Sequence, residues 1–214
     1  MSTKIYRYVV QYDGGSAPNP CGGYCSLAIC KPAIRRTAKI GDWLIGLRSE
    51  MNDHLLYAMQ VEEILPLGNF WQDRRFKSRR PDFSLLSDNI YRPDGDGSLN
   101  QVHNDVHDDG NVLRDLSGKN VLLSKRYWYF GRKSPPLPLY LKHLIHRGVG
   151  HAVHINRQPS DVQQLEDWLL GWDIGVHGSP VQLREDAKFS VKNGVASVSG
   201  PQRLGDGRKS LPRC

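Results

Sequence analysis

Short apolar stretches alternate with turn-forming segments in the first third of the chain, and this pattern predicts mainly β-structure. Residues 4–12 are rich in β-branched and aromatic side chains, which is typical of a strand. Residues 24–30, 43–47 and 55–65 repeat the pattern after Gly- and Pro-rich or polar interruptions. Pro32 predicts the first position of a short helix, where its missing N–H leaves no hydrogen bond unmade.

The rest of the chain mixes strands with helical spacing. Residues 120–124 and 126–131 predict two more strands, and residues 87–109 lack periodicity, which predicts one long loop. We expect that loop to cover the mouth of a pocket, since loops on a rigid scaffold commonly carry binding groups. A helix is predicted over 160–172 from an apolar stripe formed by Val162, Leu165, Trp168, Leu169 and Trp172.

Length and pattern predict an α+β fold with one domain. Strands with a few helices favour a small mixed β-barrel with peripheral helices and the long loop. The domain is expected to cover residues 1–185, because no linker divides them. Residues 186–214 are polar, basic and rich in Gly and Ser, and predict a loosely ordered tail.

Charge and cysteine content narrow the class of protein. The formal net charge of +7 comes partly from the C-terminal segment and partly from local basic runs, which suit phosphate contact. No apolar stretch reaches the length of a membrane span, and the N-terminus lacks the pattern of a signal peptide. Four cysteines are too few for a disulfide framework, so we expect free thiols and a cytoplasmic location.

Common catalytic motifs are missing from the sequence. It contains no P-loop, no G-x-S-x-G and no H-E-x-x-H, and its glycines make no dinucleotide fingerprint. A zinc site built from the three N-terminal cysteines and His103 or His107 is conceivable, but a strand would point Cys25 and Cys30 to opposite faces. The sequence therefore predicts no metal and no cofactor.

Cys30 followed by Lys31 leaves two interpretations open. A neighbouring ammonium lowers the pKa of a thiol, which would suit a nucleophile. A cysteine that ends an apolar strand is more often a small buried side chain, and this second interpretation is favoured.

Aromatic and amide side chains stand near the basic runs. Trp43, Trp71, Tyr91 and the strand that contains Tyr129 supply flat rings, on which bases stack with about 1–3 kcal/mol each. Asn and Asp side chains read the hydrogen-bonding edges of bases. The group predicts contact with nucleic acid or nucleotides, although core packing is the commoner role of any single tryptophan.

Several motifs in order carry a resemblance to a known family. The pieces APNP, CKPAIRR, GDWLIG, YAM, DNIY, HNDVH and YFG, spread over residues 4–175, resemble the second type of nucleotide-modification-associated domain. The GDWLIG and YAMQVEE strands are also similar to the barrel core of PUA-like domains such as YTH, EVE and ASCH. The resemblance implies a PUA-like barrel and an association with modified nucleotides.

From the resemblance and the residue grouping together, we expect a protein that binds a modified base or nucleotide, in DNA or RNA, in an aromatic-lined pocket. Trp43 and Tyr129 would stack on the base, and Lys31, Arg35 and Arg36 would hold phosphate. The remaining candidate ligand-binding residues are Asn19, Cys30, Asp88, Asn89, Asn104 and His107. The expected partners are the modified nucleic acid and enzymes of a base-modification pathway.

An enzymatic alternative stays open. Some ASCH-like barrels hydrolyse amide-linked base modifications with a lysine and an acid. In this chain Lys31 with Asp42 or His107 would be the corresponding pair, one activating a nucleophile and the other acting as general acid–base.

Overall fold

The computed structural model of the protein describes residues 3–155 and 160–200. Its strands are β1 (Lys4–Val10), β2 (Cys25–Leu27), β3 (Trp43–Arg48), β4 (Leu55–Gln60), β5 (Glu63–Pro66), β6 (Tyr91–Pro93), β7 (Leu99–Gln101), β8 (Asn120–Ser124), β9 (Tyr127–Tyr129), β10 (His151–Ile155), β11 (Gly175–Val176), β12 (Lys188–Lys192) and β13 (Val195–Ser199). Its α-helices are α1 (Pro32–Thr37), α2 (Leu67–Gln72), α3 (Val112–Leu116) and α4 (Ser160–Leu169). Short 3-10 helices cover Arg74–Arg79, Asp109–Asn111, Gly131–Lys133 and Leu139–Leu144.

A six-stranded mixed sheet forms the centre of the fold. Its order is β10-β1-β3-β4-β9-β11, with β1 parallel to β3, β9 parallel to β11 and the other neighbours antiparallel. Side chains alternate between the two faces of a strand, and β1 follows this rule. Tyr6 and Tyr8 belong to one apolar cluster, whereas Ile5 belongs to the cluster on the opposite face.

A second, three-stranded sheet packs on the first. Its order is β2-β8-β5, all antiparallel. Leu27 and Leu122 from this sheet share a buried cluster with Tyr8, Leu44 and Met59 from the large sheet. The main core therefore lies between the two sheets.

Helical segments cover the outer faces. The other face of the large sheet packs under α4 and the 3-10 turn Leu139–Leu144, with Leu165 and Leu169 fully buried. The predicted stripe of the helix over 160–172 is thus confirmed as a core contact. On the far side of the small sheet, Phe70 and Phe76 pack against Val121.

The predicted α+β class is confirmed, with more sheet than helix. The sheets do not close into a barrel anywhere in residues 3–155 and 160–200, so the PUA-like barrel is not confirmed. None of the helices in these two ranges has the length and apolarity that crossing a membrane requires.

Two segments differ from the sequence prediction. The segment 87–109 is not a lid throughout, because residues 87–91 are buried and β6 pairs with β7 in a hairpin. Residues 188–199 form a second hairpin, and Ala196, 1% exposed, joins the main core. Ala196 also forms an isolated β-bridge with Cys21, and residues 201–214 of the predicted tail lie outside the described residues.

Candidate functional site

The turn between β2 and α1 holds an unusual backbone. Cys30 and Lys31 are consecutive non-glycine residues with φ of 61° and 43°, in the left-handed region. For L-residues this conformation costs roughly 1–2 kcal/mol each, so surrounding contacts must hold it. The Cys30 N–H donates to Asp115 Oδ1 at 2.9 Å, and Arg35 Nε donates to the Cys30 carbonyl at 2.8 Å.

Cys30, His107 and Asp115 form a continuous chain of polar contacts. Cys30 Sγ lies 3.3 Å from His107 Nε2, and His107 Nδ1 lies 2.6 Å from Asp115 Oδ2. Asn104 fixes the backbone here, because its Oδ1 accepts from the N–H of His107 at 2.7 Å and from that of Val106 at 2.9 Å. The predicted site residues Cys30, Asn104 and His107 are therefore brought together.

Asp115 is the centre of this arrangement. It is 1% exposed and also accepts from the Tyr91 hydroxyl at 3.0 Å. Arg35 Nη2 lies 3.7 Å from Asp115 Oδ1 and donates to the Asp115 carbonyl, while Arg35 Nη1 donates to the Asn120 carbonyl at 3.0 Å. Burial by itself would raise the pKa of Asp115, but the His107 hydrogen bond and the charges of His107 and Arg35 lower it below its usual value.

Gly118 leaves the space in which the Arg35 guanidinium lies. A Cβ at this position would stand 2.5 Å from Arg35 Cζ, far inside van der Waals contact. The position must therefore carry glycine as long as Arg35, which is fully buried, keeps its place.

A group of basic side chains borders these residues, and we call Arg7, Lys31, His146 and His151 the basic cluster. Lys31 Nζ stands 4.8 Å from the centre of the Tyr8 ring, and His151 is the residue opposite Tyr8 in the β1–β10 pair. None of the ion pairs among the described residues involves a member of the cluster.

Burial and mutual repulsion shift the titration of the basic cluster. Burial, with the charge of Arg114, lowers the pKa of Lys31 to about 8. Burial also lowers the pKa of His146 and His151, with further lowering by Lys31 in both cases. A site in which cations depress one another's protonation is stabilised when an anion enters it.

The two aromatic residues expected to stack on a base lie in the core. Trp43 and Tyr129 are both 0% exposed. Trp43 stacks on Trp128 with ring centres 6.1 Å apart, and the Tyr129 hydroxyl donates to Asp13 at 2.6 Å. Neither ring offers a free face to a base in this structure.

Asn19, Asp88 and Asn89 are also enclosed, in a polar network around Arg79. Asn19 Nδ2 donates to the Leu86 carbonyl at 2.6 Å, and Asn89 Nδ2 donates to the Phe70 carbonyl at 3.0 Å. Asp88 Oδ2 accepts from Ser26 and lies 3.4 Å from Arg79 Nη1. These side chains hold loops together, which is a structural role that polar sequence motifs do not distinguish from ligand contact.

The remaining predicted residues divide between surface and interior. Arg36 is exposed and donates to the Ser117 carbonyl at 3.1 Å, while Arg35 is fully buried and has no face for phosphate. Asp42 accepts the N–H of Lys4 and of Lys39, each at 2.9 Å. No contact in the described part of the chain joins Asp42 to Lys31 or His107.

Cysteines and histidines do not form the considered zinc site. Cys21 and Cys25 are free thiols as predicted, whereas Cys30 is disulfide-bonded, so the prediction of free thiols fails there. His103 is exposed. Within the described residues, the one group with metal-ligand spacing is His143, His154 and Asp161, where each imidazole Nε2 contacts one carboxylate oxygen at 3.2 and 2.8 Å.

Sequence reasoning missed Asp115, Arg7 and the two histidines of the basic cluster as site residues. Asp115 stands in the ordinary helical sequence VLRDL, 85 positions from Cys30, and carries no local signal. His151 is positioned by its pairing across from Tyr8, which is a long-range contact.

The fold and the site define an α+β protein with a buried Cys–His–Asp chain beside a basic cluster. A family model for nucleotide modification associated domain 2 matches residues 2–187. The chain therefore belongs to the nucleotide modification associated domain 2 family, as its motifs predicted. No curated protein matches the chain, and no solved structure does.

Proposed function

We propose that this protein binds a modified base or nucleotide, in DNA or RNA, with a phosphate group held at the basic cluster, as part of a nucleic-acid modification system. The observation that carries the proposal is the arrangement of Arg7, Lys31, His146 and His151 without a carboxylate partner among the described ion pairs. Family membership supports the nucleotide as the source of the anion. Enzymes that add or remove the modification are the proposed partners.

The aromatic-lined pocket stays a prediction within this proposal. Trp43 and Tyr129 would have to leave the core before either could stack on a base, and burial of such rings is worth several kcal/mol. Phosphate binding at the basic cluster needs no such movement. The proposal therefore relies on the charged groups rather than on the tryptophans.

Replacing Lys31 with alanine is expected to weaken the binding of a short oligonucleotide at least about tenfold. A charge-assisted hydrogen bond contributes about 1.5–3 kcal/mol, and 1.4 kcal/mol corresponds to a factor of ten. Fluorescence anisotropy at two salt concentrations would measure the loss and the change in salt dependence. Lys39→Ala is the matched control, because Lys39 is an exposed lysine close in sequence.

Binding of modified and unmodified oligonucleotides of one sequence distinguishes recognition of the modification from phosphate binding at the basic cluster. Tighter binding of a modified strand, lost with Lys31→Ala and retained with Lys39→Ala, would support it. Equal and weak affinity for all strands would contradict recognition of the modification. An unchanged affinity in Lys31→Ala would remove the basic cluster from the binding site.

Binding is expected to depend on pH in two steps. A phosphodiester keeps one negative charge across the neutral range. Changes in affinity with pH therefore reflect changes in the protonation of the protein. Affinity should fall as pH rises through about 8, because Lys31 loses its proton there. It should strengthen on acidification as His146 and His151, whose pKa values are lowered, gain protons. Titrations from pH 5.5 to 9 would test this. Lys31→Ala should remove the upper step and move the lower step to higher pH, because the charge of Lys31 lowers the pKa of both histidines.

A second function, catalysis on a modified nucleobase, is favoured by one contact. His107 Nε2 lies 3.3 Å from Cys30 Sγ, and Cys30 immediately precedes Lys31 in the chain. The alternative pair of Lys31 with Asp42 receives no such support, since both Asp42 oxygens accept backbone N–H groups. An assay for mass loss from a panel of modified nucleosides would reveal turnover, and none over a broad panel would leave binding as the function.

A further inference from the structure

The Cys30–His107–Asp115 chain has the geometry of a nucleophile, a base and an orienting acid. In such arrangements the base lies within hydrogen-bond reach of the nucleophile, and a third group fixes the base. His107 meets both conditions, with 3.3 Å to Cys30 Sγ and 2.6 Å to Asp115 Oδ2. When Nδ1–H donates to Asp115, the neutral ring turns the lone pair of Nε2 toward the sulfur.

The backbone at Cys30 adds a second, independent observation. Its φ of 61°, followed by 43° at Lys31, is a strained conformation for residues with side chains. Asp115 fixes that turn through the Cys30 N–H while also holding His107. One carboxylate thus sets the position of both the sulfur and the imidazole.

We propose that the thiol of Cys30, activated by His107 and positioned with it by Asp115, is the nucleophile of an acyl-transfer reaction. Cys30 is disulfide-bonded in this structure, so the reaction begins with a dithiol reductant. The dithiol is oxidised to its own disulfide, and the Cys30 disulfide is reduced to two thiols. The proposed substrate is a nucleotide that carries an acyl group. Only this choice of substrate rests on the function proposed above.

The covalent steps balance with water as the co-reactant. His107 Nε2 takes the thiol proton, and the thiolate attacks the carbonyl carbon of an ester or amide, forming an S–C bond. The C–O or C–N bond breaks, and the leaving group departs with the proton from His107. Water then gives a proton to His107 as its hydroxide attacks the thioester, which releases the acid and restores the thiol.

The polar and charged groups around Cys30 and His107 come from several elements. Asp115 stands on α3, Arg35 on α1 and Tyr91 on β6, and Lys31 is adjacent in the chain. Arg35, whose Nε donates to the Cys30 carbonyl at 2.8 Å, is cationic and favours a thiolate. Asp115 favours the imidazolium that forms with it, so the two effects together stabilise the ion pair of Cys30 and His107.

Alkylation of the reduced protein tests the nucleophile. The protein is treated with a dithiol, complete reduction is verified by intact mass, and iodoacetamide labelling at each cysteine is followed by peptide mass spectrometry from pH 5.5 to 9. Cys21 is the internal control, because burial raises its pKa to about 11. At pH 6, Cys30 should react at least about tenfold faster than Cys21, since thiolate rather than thiol is the reactive form.

Variants connect that reactivity to the geometry. His107→Ala and Asp115→Asn should each reduce labelling of Cys30 at pH 6 by about tenfold or more. Asp115→Asn keeps the size of the side chain but offers an N–H toward His107, which favours the wrong tautomer. His103→Ala, which removes an exposed histidine four positions earlier, should change nothing. A circular dichroism spectrum verifies the fold of each variant.

p-Nitrophenyl acetate tests the transfer step. An acetyl group mapped to Cys30 of the reduced protein, and absent in Cys30→Ser, would support it, while reaction elsewhere alone would overturn it. Cys30 labelling that rises steadily to pH 9, or is the same in His107→Ala, would overturn the nucleophile. Oligonucleotide binding by Cys30→Ser reports the binding function separately, so the failure of one proposal is distinguishable from the failure of the other.

Discussion

Replacing Arg79 with methionine is expected to lower the free energy of unfolding by about 3–5 kcal/mol, because it leaves a buried carboxylate without its cation. Arg79 is 3% exposed and Asp88 is fully buried. The guanidinium also donates to the carbonyls of Asn19, at 3.3 Å, and Tyr24, at 2.6 Å. Methionine fills much of the volume but satisfies none of these acceptors.

Urea unfolding of the wild type and Arg79→Met measures this loss. Arg74→Met is the matched control, because Arg74 is exposed in the same 3-10 helix, and its change should stay within about 0.5 kcal/mol. Burial raises the pKa of Asp88 and the charge of Arg79 lowers it, so removing Arg79 should raise that pKa further and favour the neutral carboxyl, which asparagine resembles. Adding Asp88→Asn should therefore cost little more. A loss below about 1 kcal/mol in the single variant would contradict the structural role.

Replacing Asp115 with alanine should be as damaging, at about 3–5 kcal/mol, for a related reason. Arg35, fully buried, would lose its nearest carboxylate, and the Tyr91 hydroxyl and the Cys30 N–H would lose their acceptor. The matched control is Asp105→Ala in the preceding loop, whose partner Arg184 forms an exposed ion pair worth about 0–1 kcal/mol. Both variants are compared with the wild type by thermal and urea unfolding.

The loss of stability at acid pH should also depend on the contacts of Asp115. The pKa of Asp115 is lower in the folded protein, so its contribution to stability is present above the ordinary carboxyl range and is lost as pH falls through the folded value. Asp115→Ala should consequently lose less stability than the wild type between pH 5 and pH 3 (roughly the range in which carboxylates titrate). Equal acid sensitivity of the two proteins would contradict the depressed pKa.

The sequence predicts the parts of the fold that follow from local periodicity. β1 and α4 place apolar residues at the spacing of a strand and of a helix, and both bury them. Pro32 starts α1 where its ring is tolerated. The pairing of β12 with β13 was missed because Ser and Lys dilute the apolar pattern of β12, and the one fully buried residue of this hairpin, Ala196, is small.

Only some residues of the candidate site could be predicted from the sequence. Cys30, Lys31, Asn104 and His107 lie in conspicuous motifs, and the structure brings them near one another. Asp115 could not be found, because its role depends on a contact with a residue 85 positions away. Asn19 and Asp88 were predicted to contact a ligand but belong to a buried polar network. A polar side chain in such a network cannot be distinguished in sequence from one that contacts a ligand.

Gly118 gives a practical way to recognise this site in other chains. Arg35 and Asp115 are common residue types, and their presence in a related sequence would say little. A glycine that must stand three positions after the aspartate, because any side chain would occupy the place of the guanidinium, is more restrictive. A relative with a larger residue there has either moved its arginine or lost it, and its sulfur and imidazole would be held by different contacts.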